Sequence, residues 1–213
     1  MQRRPSPMAI AGRSVAIAVA VAMTAVLTIG GTRAVFSGTT DNTGNSFATA
    51  DIILYDDDSG TIMFDVAGLL PGDQVDHCVE VSYEGPNGRV TNGVNFYIPA
   101  TWSDSATLGD DLLITVEDGG VGAFSPVGTV TDPTTYPHCS GFISSTIVVA
   151  DEPLSTFATG YATGYGSWTP TGLGIGNPVD RSFRITVELA SASTAMNESV
   201  TAVPFTWEVQ AGS

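Results

Sequence analysis

The chain has 213 residues, of which 22 are acidic and seven basic, every basic one an arginine, giving a net charge of −15 and an isoelectric point near 4.1. A surface this acidic repels nucleic acid and anionic lipid, which excludes the commonest electrostatic partners and leaves cations, a basic partner or salt adaptation.

The first 34 residues read as a Sec-type signal peptide. Arg3, Arg4 and Arg13 form a positive start, and Val15 to Ile29 is an apolar run of 15 residues broken only by Thr24 and Thr28. That run suits the helical core of a signal peptide and falls short of the about 20 residues a membrane span needs. Thr32 and Ala34 supply the small residues of a cleavage site, so maturation is expected at or next to Ala34, with Val35 opening the mature chain. Only an uncleaved signal would tie the protein to a membrane. Cleavage removes four arginines and no acid, which leaves Arg89, Arg181 and Arg184 against 22 carboxylates, a net charge of −19.

Residues 35–50 follow as a polar arm. Between Val35 and Thr49 its apolar residues are Val35, Phe36, Phe47 and Ala48, too few to fold alone. Two fates are open. The arm can add to an open sheet edge of another copy, with Phe36 and Phe47 filling pockets, or fold back as the first strand of its own domain.

Residues 51–213 read as one all-β domain. Helical periodicity is missing, and short alternating runs recur between Gly, Pro, Asn and Asp clusters. Strands are expected at 61–66, 75–83, 94–98, 112–116, 146–149, 182–189 and 203–209. In the last two, Phe183, Ile185, Val187 and Leu189, then Val203, Phe205, Trp207 and Val209, form apolar faces, with Arg184, Thr186, Glu188, Pro204, Thr206 and Glu208 toward water. Two such sheets bury their apolar faces on each other, an antiparallel β-sandwich of jelly-roll-like topology. Leu69-Leu70-Pro71-Gly72-Asp73 is expected to make a type II turn. The stretch from Phe157 to Pro178 holds six glycines with Tyr161, Tyr165 and Trp168 among them and reads as a long crossover loop whose rings cap the sandwich, an aromatic binding loop being the alternative.

Chemistry-bearing residues are sparse. Asp56, Asp57 and Asp58 cluster in a turn and are weak calcium candidates, to which Asp110-Asp111, Glu117-Asp118 and Asp151-Glu152 add oxygen ligands; a solvated hairpin turn is the plainer reading. Cys78 and Cys139 are the only cysteines and, in an exported chain, form a candidate disulfide closing 61 residues. His77 and His138, the only histidines, each precede one of them, so a metal site and two free thiols are the alternatives. Against the metal, neighbouring residues on a strand point to opposite faces. No H-E-x-x-H and no G-x-S-x-G is present, and no catalytic or cofactor-binding residue is assigned.

The stretch GGTRAVFSG, the run Asn45 to Leu54 and Leu69-Leu70-Pro71-Gly72-Asp73 resemble the TasA and camelysin family of exported proteins, as do the closing residues Phe205 to Gln210. The resemblance covers Gly30 to about Tyr83 and the last strand, and departs from the family at Ala50 and Arg33. It implies export through a SipW-type signal peptidase, a jelly-roll domain, and assembly into biofilm-matrix or cell-surface fibres in which one subunit's N-terminal segment completes its neighbour's sheet. The expectation is thus a secreted structural subunit whose partners are its own copies or related fibre subunits, without a cofactor unless calcium serves. A monomeric secreted binding module, calcium-stabilised or not, is the second reading, and a camelysin-like metallopeptidase the third.

Overall fold

The computed structural model describes residues 37–41, 44–45, 52–57, 60–85, 90–121, 128–134, 138–170 and 176–211. The expected signal peptide, the cleavage positions Ala34 and Val35, the arm residues Phe36 and Phe47, and Asp58 lie outside them.

The described chain folds as strands β1 (Ser37–Asp41), β2 (Gly44–Asn45), β3 (Ile53–Asp56), β4 (Gln74–Glu84), β5 (Val90–Tyr97), β6 (Ser103–Asp104), β7 (Leu112–Val121), β8 (Thr146–Pro153), β9 (Tyr165–Trp168), β10 (Val179–Leu189), β11 (Val200–Thr201) and β12 (Thr206–Ala211), with a one-turn helix α1 (Leu108–Asp111) before β7. They form two five-stranded sheets, in the orders β2-β1-β12-β5-β9 and β3-β4-β10-β7-β8, while β6 and β11 pair apart. Every pairing between these strands is antiparallel.

The pairing rule is that of a rolled-up hairpin. Among the eight main strands the first pairs with the last (β1 with β12), the second with the seventh (β4 with β10), the third with the sixth (β5 with β9) and the fourth with the fifth (β7 with β8). That is a jelly roll, and β1 is its opening strand.

Period-two alternation drives the packing. Phe183, Ile185 and Leu189 of β10 turn inward with Val79, Val81 and Tyr83 of β4 and Ile114 and Val116 of β7, facing Val94, Phe96, Trp207 and Val209 of the other sheet. Aromatic rings fill the middle. Phe96 lies 4.8 Å from Trp207 and 5.8 Å from Phe157, and Phe183 lies 5.6 Å from both Trp168 and Trp207, centroid to centroid. At one end Arg181 and Asp118 form an ion pair, Asp118 continuing the inward alternation of Leu112, Ile114 and Val116.

Three expectations need correction. The run 61–66 is not a sheet strand: Phe64 makes one parallel bridge to Val130, and its alternation reflects Met63 burying against the core while Ile62 faces out. The stretch from Phe157 to Pro178 is not wholly loop, because Tyr165–Trp168 is β9; its rings do pack on the sandwich, Phe157 against Phe96 and Tyr165. The last strand begins at Thr206, since Ala202 at φ 58° and Pro204 break the extended run. The Pro71-Gly72 turn forms as expected, with Gly72 at φ 90° and the Asp73 N–H donating to the Leu70 carbonyl at 2.8 Å. The Asp73 carboxylate in turn accepts from the Leu70 N–H at 2.7 Å, a structural task.

Candidate functional site: the seat of the first strand

β12 is built to be held from both sides. On one flank Thr206, Trp207, Glu208 and Val209 stand opposite Tyr97, Phe96, Asn95 and Val94 of β5. On the other, Ser37, Gly38, Thr39, Thr40 and Asp41 of β1 stand opposite Gln210, Val209, Glu208, Trp207 and Thr206. Trp207 and Val209 are fully buried and fix the register, because a one-residue slip would turn the indole out to water.

The outward face of β12 is covered, contrary to its polar pattern. Glu208 is only 8% exposed; one carboxylate oxygen accepts from the Tyr97 hydroxyl at 2.7 Å and the other from the Gln210 amide at 2.9 Å. Above it, the Tyr161 hydroxyl donates to the Gly93 carbonyl at 3.1 Å, and Asn95 donates to the Tyr161 carbonyl at 2.9 Å. Burial, and secondarily the Glu208 charge, raise the Tyr161 phenol above its ordinary pKa. β12 is thus a rigid rail, anchored by its indole inside and by a hydrogen-bonded carboxylate outside.

β1 differs in kind. Its sequence, SGTTD, contains no large apolar residue, and main-chain hydrogen bonds pair it with β12 over all five residues. The same bonds are available to an identical strand from another copy. Asn45 and Ile53 are separated by seven residues, which extend to about 24 Å, more than twice the roughly 10 Å between packed sheets. That length permits β1 to leave without moving β3.

The cysteines meet. Cys78 on β4 and Cys139 form a disulfide with Cα atoms 5.7 Å apart, pinning the segment around residues 138–145 over the outer face of the β4-β10-β7 sheet. His77 turns the other way, into the sandwich, 5.9 Å from the Phe64 ring, while His138 stays outside, its backbone N–H donating to buried Asp76 and its Nδ1 lying 3.3 Å from the same carboxylate. The two histidines lie on opposite faces of β4 and share no ligand position.

The acidic clusters are dispersed among structural tasks. Asp56 ends β3 opposite Val81, and Asp57 accepts from the Glu80 N–H at 2.9 Å while donating its own N–H to the Glu80 carbonyl. Burial pushes the Asp57 carboxyl above its usual pKa, which weakens it as an anionic ligand. Asp118 binds Arg181, Glu117 binds Arg184, and Asp151 and Asp111 accept from Thr115 and Ser193. Among the described residues no three Asp, Glu, His or Cys side chains converge as metal ligands. Nor, among them, is any helix long and apolar enough to cross a membrane. Sequence reading missed Tyr97 and named Tyr161 only among the rings expected to cap the sandwich; the hydroxyls of both organise the outer face of β12.

No family model, no curated protein and no solved structure matches the chain.

Proposed function

We propose that the protein is an exported structural subunit of an extracellular matrix or cell-surface fibre, and that copies join by lending β1 to the β12 edge of a neighbour. One observation supports the reading: the opening strand of the jelly roll has no large apolar residue and pairs with a last strand held in place by fully buried Trp207 and Val209. Export puts it directly behind the expected cleavage at Ala34, so maturation would free its N-terminal end. The Cys78–Cys139 bridge suits an oxidising compartment. The resemblance of residues 30–83 and of the last strand to the TasA and camelysin family points the same way. The reading includes no catalytic role and no required cofactor.

Negative-stain microscopy and size-exclusion chromatography on protein beginning at Val35, beside a form beginning at Thr49, test it. Fibres from the longer form alone, with a peptide spanning residues 35–48 binding the shorter one, are expected. Monomers from the longer form with and without calcium would favour the monomeric secreted binding module instead.

A further inference from the structure

The end of the sandwich away from the Arg181–Asp118 pair is open. There the start of β7, the end of β10 and the segments 62–66 and 200–205 surround a cavity of about 380 Å³. Its walls come from β4, β7 and β10 of one sheet and from the segments 62–66 and 200–205, and the side chains on them are apolar except for Asp65 and Thr201: Val75, Ile114, Val187 and Phe205 are among them, and Ile62, 63% exposed, stands at its rim. Protein interiors are packed like organic crystals, with few voids larger than a water molecule. A void this size falls in the range of small-molecule sites, roughly 300–1,000 Å³, and an apolar cavity offers water few hydrogen-bond partners.

We infer that this cavity is a binding site for the apolar tail of a single-chain amphiphile whose head is uncharged or cationic. The tail is specified by the lining, whose side chains are hydrocarbon apart from Asp65 and Thr201. The head is specified by charge. Asp65 is the one ionisable side chain on the lining, no arginine accompanies it, and the whole chain carries −15. A fatty-acid carboxylate would meet like charge both at the rim and in the long-range field, whereas a quaternary ammonium or a sugar head would not. Phe205 immediately precedes β12, so tail binding abuts the rail without occupying it.

The test is displacement of the uncharged fluorophore N-phenyl-1-naphthylamine from the exported protein by dodecyltrimethylammonium, decyl maltoside and sodium dodecanoate, all below their micelle concentrations, with native mass spectrometry giving stoichiometry. One bound amphiphile per chain is expected, the first two displacing at least tenfold better than dodecanoate. Val187→Phe, which fills the cavity, should weaken binding at least tenfold with the thermal transition retained. Asp65→Asn at the rim should bring dodecanoate to within about threefold of the others, and this variant decides the matter if Val187→Phe does not fold. Absence of one-to-one binding, undiminished binding by folded Val187→Phe, or a head-group preference unchanged in Asp65→Asn would each overturn the assignment.

Discussion

Cys78 stands directly opposite Arg184 in the β4–β10 pair, on the same outer face, and both hold one cover. Cys78 is bonded to Cys139, and the Arg184 guanidinium lies 5.1 Å from the ring centroid of Phe142, three residues further on, while binding Glu117 at 2.6 Å. Closing 61 residues stabilises by about 4 kcal/mol in the chain-entropy model. Replacing both cysteines with alanine should therefore cost roughly 2–4 kcal/mol in urea unfolding and speed proteolysis between residues 138 and 145. Arg184→Ala should cost less in that background than in the native one, because Phe142 is no longer held above it. Equal costs in both backgrounds would show that bridge and arginine act independently.

Arg181 and Asp118 set the second expectation. The guanidinium donates from Nε at 2.9 Å to each carboxylate oxygen and from Nη2 at 2.6 Å to Oδ2, and Asp118 is 2% exposed. Oδ1 also accepts from the Gly120 N–H at 2.6 Å. Arg181→Met strands a buried charge and should lower stability by about 3–5 kcal/mol. Pairing it with Asp118→Asn should restore a good part of that loss, which equilibrium unfolding of the two variants would read.

Gly93 tests the strand that the glycine count concealed. It sits at φ 76°, and a β-carbon there would lie 2.8 Å from the Trp168 carbonyl oxygen. Both backbone conformation and close approach to β9 thus require glycine. Gly93→Ala should cost roughly 2–3 kcal/mol and loosen β9, seen as faster amide exchange over Tyr165–Trp168. Unchanged exchange would place the close approach elsewhere.

The same position explains what was legible in the sequence. Strands with strict alternation on one buried face, such as β10, announced themselves, because inward Phe183 and Ile185 and outward Arg184 leave one solution. β9 did not, since its pairing is permitted by close approaches at Gly93 and Gly164, residues that in sequence speak only of turns and loops. β1 was legible only as one of the arm's two fates, the fold-back as first strand of its own domain, and for the opposite reason. A strand without apolar residues has no periodic signal, and its place on β12 follows from topology, where the first strand must close on the last. Cysteine pairing was readable from the number of cysteines and the expected export, whereas the burial of Glu208 was not, because it depends on what the Tyr161 segment lays over it.

His77 gives the fold a pH dependence with a definite sign. Burial holds its imidazole below the ordinary pKa, against a smaller opposing pull from a hydrogen bond to the Gly128 backbone and from the Asp76 charge. Its Nδ1 has no partner among the described residues, so a second proton would bring an unpaired charge inside. The native state then binds fewer protons than the unfolded chain below about pH 6.5, and stability falls as pH drops through that value, by at most about 1.4 kcal/mol per pH unit. Asp57, shifted upward, acts in the opposite direction near the carboxylate range and leaves this window untouched. Urea midpoints between pH 7.5 and 5.5 should fall for the native protein and flatten in His77→Gln. Parallel profiles would assign the slope to other groups.

Ser37 and Gln210 provide the direct test of strand lending. They face each other at one end of the β1–β12 pair, and opposed residues of an antiparallel ladder have Cα atoms about 4.5–5.5 Å apart, within the range a disulfide accepts. Copies carrying Ser37→Cys alone and Gln210→Cys alone should, when mixed and oxidised, give a covalent dimer on a non-reducing gel, since each β1 reaches a neighbour's rail. A copy carrying both substitutions should close on itself, stay monomeric and form no fibres, because the strand it would lend is tied to its own β12. Adding that locked copy to native protein should leave fibre length unchanged, as a subunit that neither lends β1 nor vacates its rail can neither enter nor cap a fibre. Mixed single-cysteine copies that stay monomeric under conditions where native protein forms fibres would mean that assembly proceeds through other surfaces and that β1 is simply the first strand of its own domain.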